Sequence, residues 1–343
     1  MANKLVIGGV AVVASMIIVL SMAIHQVNRF WLADPKPNAA VYEVQILPGD
    51  SISNLAPLLA ENKLVNPFWF KFYAKIFGGA PGIDVGTYSI TKGMSYAAMI
   101  ATLHNGQSAE VTLTIPEGFT IKQMGERVTA AFPSLTAEDW THATGQFSAE
   151  EGLSFVVTSG KPDGVDLEGY LFPDTYNFEP SATADEIVKK MIDEMADKVQ
   201  TVGLRNQVGE GKPFKSLHEA LTLASILEKE VRTPATMAQV ADIFLKRLAI
   251  GMALQADSTV NYVTGGDTPS VSFADLKIDS PYNTYMYPGL PPGPISNPGL
   301  NALAAVANPS HNDYYYFLTD SAGNVYYAAT NEEHVANKVK YMK

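Results

Sequence analysis

Glu228 and Glu230 flank Lys229 at the end of the stretch LASILEKEV, residues 223–231. At about 100° per residue, two such carboxyl groups on an α-helix stand roughly 200° apart, so they cannot share one exposed face. Apolar residues at 221, 223, 224, 226 and 227 surround much of the helix that the pattern predicts over about 217–231. Glu230 falls three residues after Leu227, four after Ile226 and seven after Leu223, so it continues an apolar stripe. Glu228 follows Ala224 and Leu221 in the same way. A buried carboxyl without a partner has its charged form disfavoured and its pKa raised. That is the condition for a general acid working near neutral pH. The plain alternative is a solvated glutamate at a helix end, with Lys229 as a solvated neighbour.

The downstream residues weigh against the plain alternative. A second amphipathic helix in MAQVADIFLKRLAIG leads through a turn at Gly251 to Gln255, Asp257, Thr259 and Tyr262. PYNTYMYPGLPPGPISNPG, residues 281–299, has six prolines and no helical or strand period. Loops of this kind form rigid walls, and rigid loops preferentially carry function. Within it Tyr282, Asn283 and Tyr285 offer the ring and amide contacts that sugars need. For Asp257 and Thr259 a turn with a helix cap is an equal alternative. LEGYLFPDTYNFEP, residues 167–180, reads either as a buried connection or as a groove wall in which rings and a carboxylate meet sugar faces and hydroxyls.

Several elements must position these groups. ILPGDSISNLAPLLA from Ile46, ITKGMSYAAMIATL from Ile90 and IPEGFTIKQMGERV from Ile115 share one device. Each leaves a strand-like stretch, turns at a glycine (Gly49, Gly93, Gly118) and offers Ser51, Ser95 or Thr120 as an N-cap before a helical pattern. VYEVQI and AEVTLTI alternate as strands do. SATADEIVKKMIDEMADKV predicts an amphipathic helix from about 184 to 199, and YYYFLTD with GNVYYAAT predicts a hairpin.

Composition narrows the classes. The 343 residues are 47% hydrophobic and 17% charged, as in an ordered chain long enough for more than one domain. A net charge of -11 argues against nucleic acid as a partner. The absence of cysteine excludes disulfides, thiolate catalysis and Cys-ligated metal, and the six histidines show no metal-ligand spacing. No cofactor or metal is expected.

LVIGGVAVVASMIIVLSMAI, residues 5–24, has no charge and about the length needed to cross a bilayer as a helix. It is expected to be an uncleaved anchor, although Ser21-Met22-Ala23 resembles a signal-peptide cleavage site. Lys4 before it, with Arg29 and Lys36 after it, leaves orientation undecided.

VYEVQILPGDSISNLA resembles the start of a LysM module, a small fold that binds N-acetylglucosamine polymers. More extensively, LEGYLFPDTY, LASILEKE, FLKRLAIGMALQADSTVNY, PYNTYMYPGLPPGPISNPG, ANPSHNDYYYFL and EEH resemble the family of membrane-anchored endolytic murein transglycosylases, the MltG or YceG-like proteins. The resemblance covers essentially the whole chain. One departure is VYYAATNEEH, whose middle differs from the family's usual Phe-Ser-x-Thr run.

The resemblance implies cleavage of the β-1,4 bond between N-acetylmuramic acid and N-acetylglucosamine inside peptidoglycan strands, leaving 1,6-anhydro ends. It implies Glu230 as the catalytic acid, with Glu228, Gln255, Asp257, Asn283 and Tyr285 holding sugars or orienting it. It also implies an inner-membrane protein with its catalytic part in the periplasm, acting on glycan strands beside peptidoglycan synthases. The expected fold is α+β: a head at 1–4, an anchor at 5–24, a linker at 25–40, a LysM-like module at 41–108, a linking module at 109–215 and a catalytic domain at 216–343. Two rival readings are a lysozyme-like hydrolase using Asp257 as second carboxylate, and a non-catalytic glycan-binding scaffold. A buried Glu230 argues against the scaffold, which has no reason to bear the desolvation cost.

Overall fold

The protein is described by a computed structural model covering residues 27–36, 39–47, 49–77, 83, 85–104, 110–145, 154–266 and 271–342. The head and anchor expected at residues 1–24 lie outside these. Among the described residues no helix is long and apolar enough to cross a membrane. The chain is mixed α+β and divides into two compact units. One carries the described residues up to Val111 together with Asn177–Ala182. The other carries Thr112–Tyr176 and Thr183–Lys343, so the boundary expected near residue 215 does not separate two bodies.

The first unit follows a π-helical turn, Asn28–Leu32, with strand β1 (Val41–Ile46), helices α1 (Ile52–Glu61) and α2 (Pro67–Phe77), strand β2 (Gly86–Thr91) and helix α3 (Tyr96–His104). β1 and β2 are antiparallel, with Val41 opposite Thr91 and Ile46 opposite Gly86. Period-two alternation places Tyr88 and Ile90 in the core beside Leu55, Leu59, Phe70, Tyr73 and Met99.

In the second unit, β3 (Val111–Thr114) leads through Gly118 to α4 (Ile121–Ala131), which Thr120 and Gln123 start with a reciprocal capping box. The glycines of the three repeated turns all take positive φ, 89° at Gly49, 102° at Gly93 and 72° at Gly118, as the shared turn requires. Helices α5 (Ala137–Gly145) and α6 (Ser154–Thr158) precede β4 (Thr175–Phe178). The parts of β3 and β4 in this unit are joined by Thr114 and Thr175 hydroxyls at 3.1 Å and by the Ile115 amide donating to Asp174. The amphipathic α7 (Ala184–Val202) buries Ile187, Val188, Met191, Ile192, Met195 and Val199, and ends at Gly203 in the left-handed region.

Helix α8 (Leu217–Glu230) is the centre of this unit, with every residue from Ala220 to Leu227 buried. The Ser216 hydroxyl caps its start by accepting from the Glu219 amide. Its end is set from the other side. Thr233 and Pro234 start α9 (Pro234–Ala249), and Val231 is extended, so the helix stops at Glu230. Beyond α9 come α10 (Asp257–Thr264), α11 (Leu300–Ala307), the antiparallel hairpin β5 (Tyr316–Thr319) and β6 (Val325–Ala328), and α12 (Asn331–Tyr341). The VYYAATNEEH segment thus supplies β6 and the start of α12, where Thr330 and Glu333 form a capping box.

Candidate active site

Within the second unit lies an open cleft of about 1780 Å³. The ends of three helices meet it: Glu228 and Glu230 from α8, Gln255, Asp257 and Ser258 at the start of α10, and His334 on α12. Tyr285 from the proline-rich loop and Tyr316 from β5 complete this wall, while Glu117, Thr120 and Glu168 line the other end.

Glu230 keeps a partly exposed side chain at the cleft, yet protein surrounds its carboxyl group. Burial raises its pKa. Against that, the Ser258 hydroxyl donates to Oε1 at 2.6 Å and the Ser258 amide to the same oxygen at 3.3 Å, both favouring the carboxylate. The nearby Asp257 charge raises the pKa further, and Arg247 lowers it. No donor among the described residues reaches Oε2, so the proton of the acid form has a free oxygen to occupy. The arrangement is that of a group which holds a proton at rest and has a prepared hydrogen-bond site for the charge left after giving it away.

Arg247 was not among the residues singled out from the sequence, where it reads as a last-turn cation on an amphipathic helix. It is buried, donates to the carbonyls of Tyr315 (2.7 Å), Leu254 (2.7 Å) and Ala253 (3.2 Å), and lies over the Tyr316 ring at 5.0 Å. It therefore fastens the segment before α10 to the hairpin and places a fixed positive charge behind Glu230. Ser258 was also missed, because a serine at a helix start ordinarily signals capping. Its acceptor lies 28 residues earlier in the chain.

The remaining expected residues divide. Gln255 lines the cleft in the left-handed region, φ 52°, with its amide held by the Thr284 carbonyl at 3.2 Å. A non-glycine residue held there is a local strain that the surrounding hydrogen bonds must maintain. Asp257 lines the cleft and accepts from the Tyr285 hydroxyl at 2.5 Å. Tyr285 lines it too, with burial and the Asp257 carboxylate both raising the phenol's pKa. Glu228 accepts from the Gly299 amide at 2.9 Å and is pushed up to about 7, first by burial and also by Glu117. Asn283 is different. It is buried, its amide donates to the carbonyls of Leu276 and Ile278, and its oxygen accepts from the Tyr285 amide. The structure uses it to frame the loop that carries Tyr285, not to line the cleft. Thr259 is buried as well, bonding Thr284 at 2.9 Å and the Ala256 carbonyl, so its turn-and-cap reading holds.

In LEGYLFPDTYNFEP the rings are core: Tyr170, Phe172, Tyr176 and Phe178 are all buried. The groove wall is Glu168, which lines the cleft and is itself buried. Its carboxyl accepts from the Ile121 amide at the start of α4 and from Asn297 Nδ2 at 2.7 Å, and burial pushes it up to about 8. Asn297 is fully engaged, accepting from the Gly169 and Leu171 amides and donating also to the Phe119 carbonyl. Glu168 and Asn297 thus tie three segments together, a pairing across 129 positions that no local pattern shows.

Comparison with known proteins agrees with this arrangement. The model of the YceG-like family matches residues 44–340. An endolytic murein transglycosylase of Bacillus subtilis (strain 168) is 34% identical over 324 residues, covering 90% of this chain and 86% of that protein. An endolytic murein transglycosylase of Streptococcus pneumoniae (strain ATCC BAA-255 / R6) is 32% identical, covering 87% of this chain and 58% of that longer protein. A crystal structure of a yceG-like protein from Listeria monocytogenes superposes with a TM-score of 0.58 at 31% identity, covering 87% of this chain and 99% of that one. The chain belongs to the YceG-like family.

Proposed function

We propose that the protein is an endolytic peptidoglycan transglycosylase that cleaves the β-1,4 bond from N-acetylmuramic acid to N-acetylglucosamine without consuming water. The observation that carries this reading is Glu230: a carboxyl with a raised pKa, on a cleft long enough for several sugars, with both Ser258 donors on one oxygen. In the reaction, Glu230 Oε2 gives its proton to the glycosidic oxygen as the C1–O bond breaks. The muramyl C6 hydroxyl closes on C1, and its proton passes to the carboxylate. Glu230 ends protonated as it began, so one acid suffices where a hydrolase uses a second carboxylate to activate water or attack C1. The rising charge on Glu230 is met by Ser258, and the Tyr285–Asp257 pair and Gln255 are placed to hold the sugars on either side. The transglycosylase names of the relatives support the same substrate.

The β-α-α-β order of residues 41–91, with its antiparallel strand pair, supports the LysM-like reading of the first unit. The uncharged run at 5–24 supports a single inner-membrane anchor, with the rest of the chain in the periplasm and termination of growing strands beside synthases as its task.

The test is digestion of purified peptidoglycan by the detergent-solubilised full chain and its Glu230→Gln and Glu228→Gln variants, with products read by mass spectrometry. Anhydro ends that disappear with Glu230→Gln and persist with Glu228→Gln are expected. Reducing ends, one water heavier, establish a hydrolase instead. Loss only with Glu228→Gln moves the acid to the other side of α8.

A further inference from the structure

The first unit exposes an aromatic surface that its own core does not use. On α2, Phe68 is 67% exposed, Phe72 43% and Ile76 56%. Spaced four residues apart, they form one stripe along the helix. Half-buried Trp69 stands beside it, in edge contact with Phe68 (5.1 Å) and Phe72 (5.8 Å). The surface continues onto the turn that precedes the unit. Trp31 and Leu32 there are 44% and 66% exposed, and Trp31 packs edge-on against Phe77 at 5.1 Å and Tyr73 at 5.7 Å. A single exposed phenylalanine would mean little, but a joined set of this kind marks an interaction site.

Charge and chain position select the partner. In a chain of net charge -11, α2 carries Lys71 and Lys75 and no acidic residue, and the turn carries Arg29 and none. On the helical wheel Lys75 and Lys71 fall along one side of the stripe, and Trp69 on the other. Aromatic rings with flanking lysines match the boundary between acyl chains and anionic headgroups. Trp31 also lies only seven residues after Ile24, the end of the uncharged run. Seven residues span about 10 Å as helix and about 25 Å extended, so a chain leaving the hydrocarbon at Ile24 holds Trp31 in or near the headgroup layer.

We infer that the stripe Phe68, Phe72 and Ile76, with Trp69, Trp31 and Leu32, docks the first unit onto the surface of the phospholipid bilayer. This rests on the reading of residues 5–24 as an anchor. The unit is then a membrane-seated base, with its position above the lipid fixed by α2 as well as by the tether.

The three tryptophans provide the test, since Trp31 and Trp69 lie on the surface and Trp140 is buried in the second unit, its Nε1 bonded to the Ile121 carbonyl. The full chain is reconstituted in phosphatidylcholine–phosphatidylglycerol vesicles, with and without lipid brominated at mid-chain, as wild type, Trp31→Phe, Trp69→Phe and the triple variant Phe68→Ser/Phe72→Ser/Ile76→Ser. Flotation reports the anchor and quenching reports the docking. Brominated lipid is expected to reduce the emission of Trp31 and of Trp69 at least twofold and to spare Trp140. The triple variant should still float but lose quenching of Trp69. Vesicle-bound protein whose Trp69 emission is the same in both lipids overturns the proposal. So does quenching confined to Trp31, which a tether alone explains, and so does a Trp69 shielded from both lipid and aqueous iodide, which means a protein partner or a second copy covers it. A chain that does not float refutes the anchor and the docking with it.

Discussion

The Ser258 hydroxyl stands 2.6 Å from Oε1 of Glu230, and Asp257, the residue before it, lies close enough to raise the same carboxyl's pKa. Neighbouring residues of α10 therefore push the acid in opposite directions. Ser258→Ala removes a donor to the carboxylate, so it should raise the pKa further. The basic limb of the pH–rate profile should move to higher pH. It should also slow the reaction about tenfold or more, since a hydrogen bond to a charged group is worth about 1.5–3 kcal/mol. Asp257→Asn removes a repelling charge, so its basic limb should move to lower pH. Limbs that move together, or not at all, would show that Glu230 is not the group that titrates in the profile.

Glu230→Gln should separate stability from activity. The folded-state pKa is raised, so the native protein holds a proton that the unfolded chain releases above about 4.3. Wild-type stability contributed by this group is therefore present at low pH and declines as pH rises toward the folded pKa. Glutamine carries no such dependence, and its oxygen can keep the Ser258 bond. Thermal melts at pH 5 and pH 8 should show the variant gaining on the wild type as pH rises, while strand cleavage is lost. A variant that loses ground at pH 8 would mean the Glu230 carboxylate stabilises the fold.

What could be read from the sequence was what depends on local period and local caps. The burial of α8, its end at Glu230 and the place of that residue on an apolar stripe all follow from spacing within 14 residues. Gln255, Asp257 and Tyr285 were found because loop-borne polar and aromatic residues near such a helix suit a glycan. Asn283 has the same side-chain chemistry as a sugar ligand, and only the carbonyls of Leu276 and Ile278 show that it is already in use. Arg247 and Glu168 escaped for the opposite reason. Each reads as a surface charge, and its burial is satisfied by partners from distant or irregular backbone.

Glu168 makes a second pH prediction. Burial pushes it up to about 8 and Glu228 up to about 7, so between about pH 5 and pH 8 the folded state binds more protons than the unfolded one. Stability should fall across that window, by a few kcal/mol in order of magnitude, with Glu168 the larger contributor because Glu228 is partly exposed. Glu168→Gln should flatten the dependence of Tm on pH. A wild-type melt as flat as the variant's would mean that Glu168 is ionised without cost, held by Ile121 and Asn297.

Gly169, next to Glu168, tests how tightly that connection is built. Its φ is +84°, and a Cβ there would lie 2.3 Å from Cβ and 2.4 Å from Cγ of Pro294, a ring that cannot swing aside. Its amide also donates to Asn297 Oδ1 at 2.9 Å, so any shift that relieves the clash pulls on the partner of Glu168. Gly169→Ala should cost about 2–4 kcal/mol, combining left-handed backbone strain with overpacking. At that size Tm should fall by roughly 5–10 °C. Gly164 is the control: its φ is +75°, but an added methyl would meet no atom within 4 Å, so Gly164→Ala should show the backbone strain alone. Equal losses at the two sites would mean that the Pro294 contact yields freely, and that the wall bearing Glu168 is not fixed by the proline-rich loop.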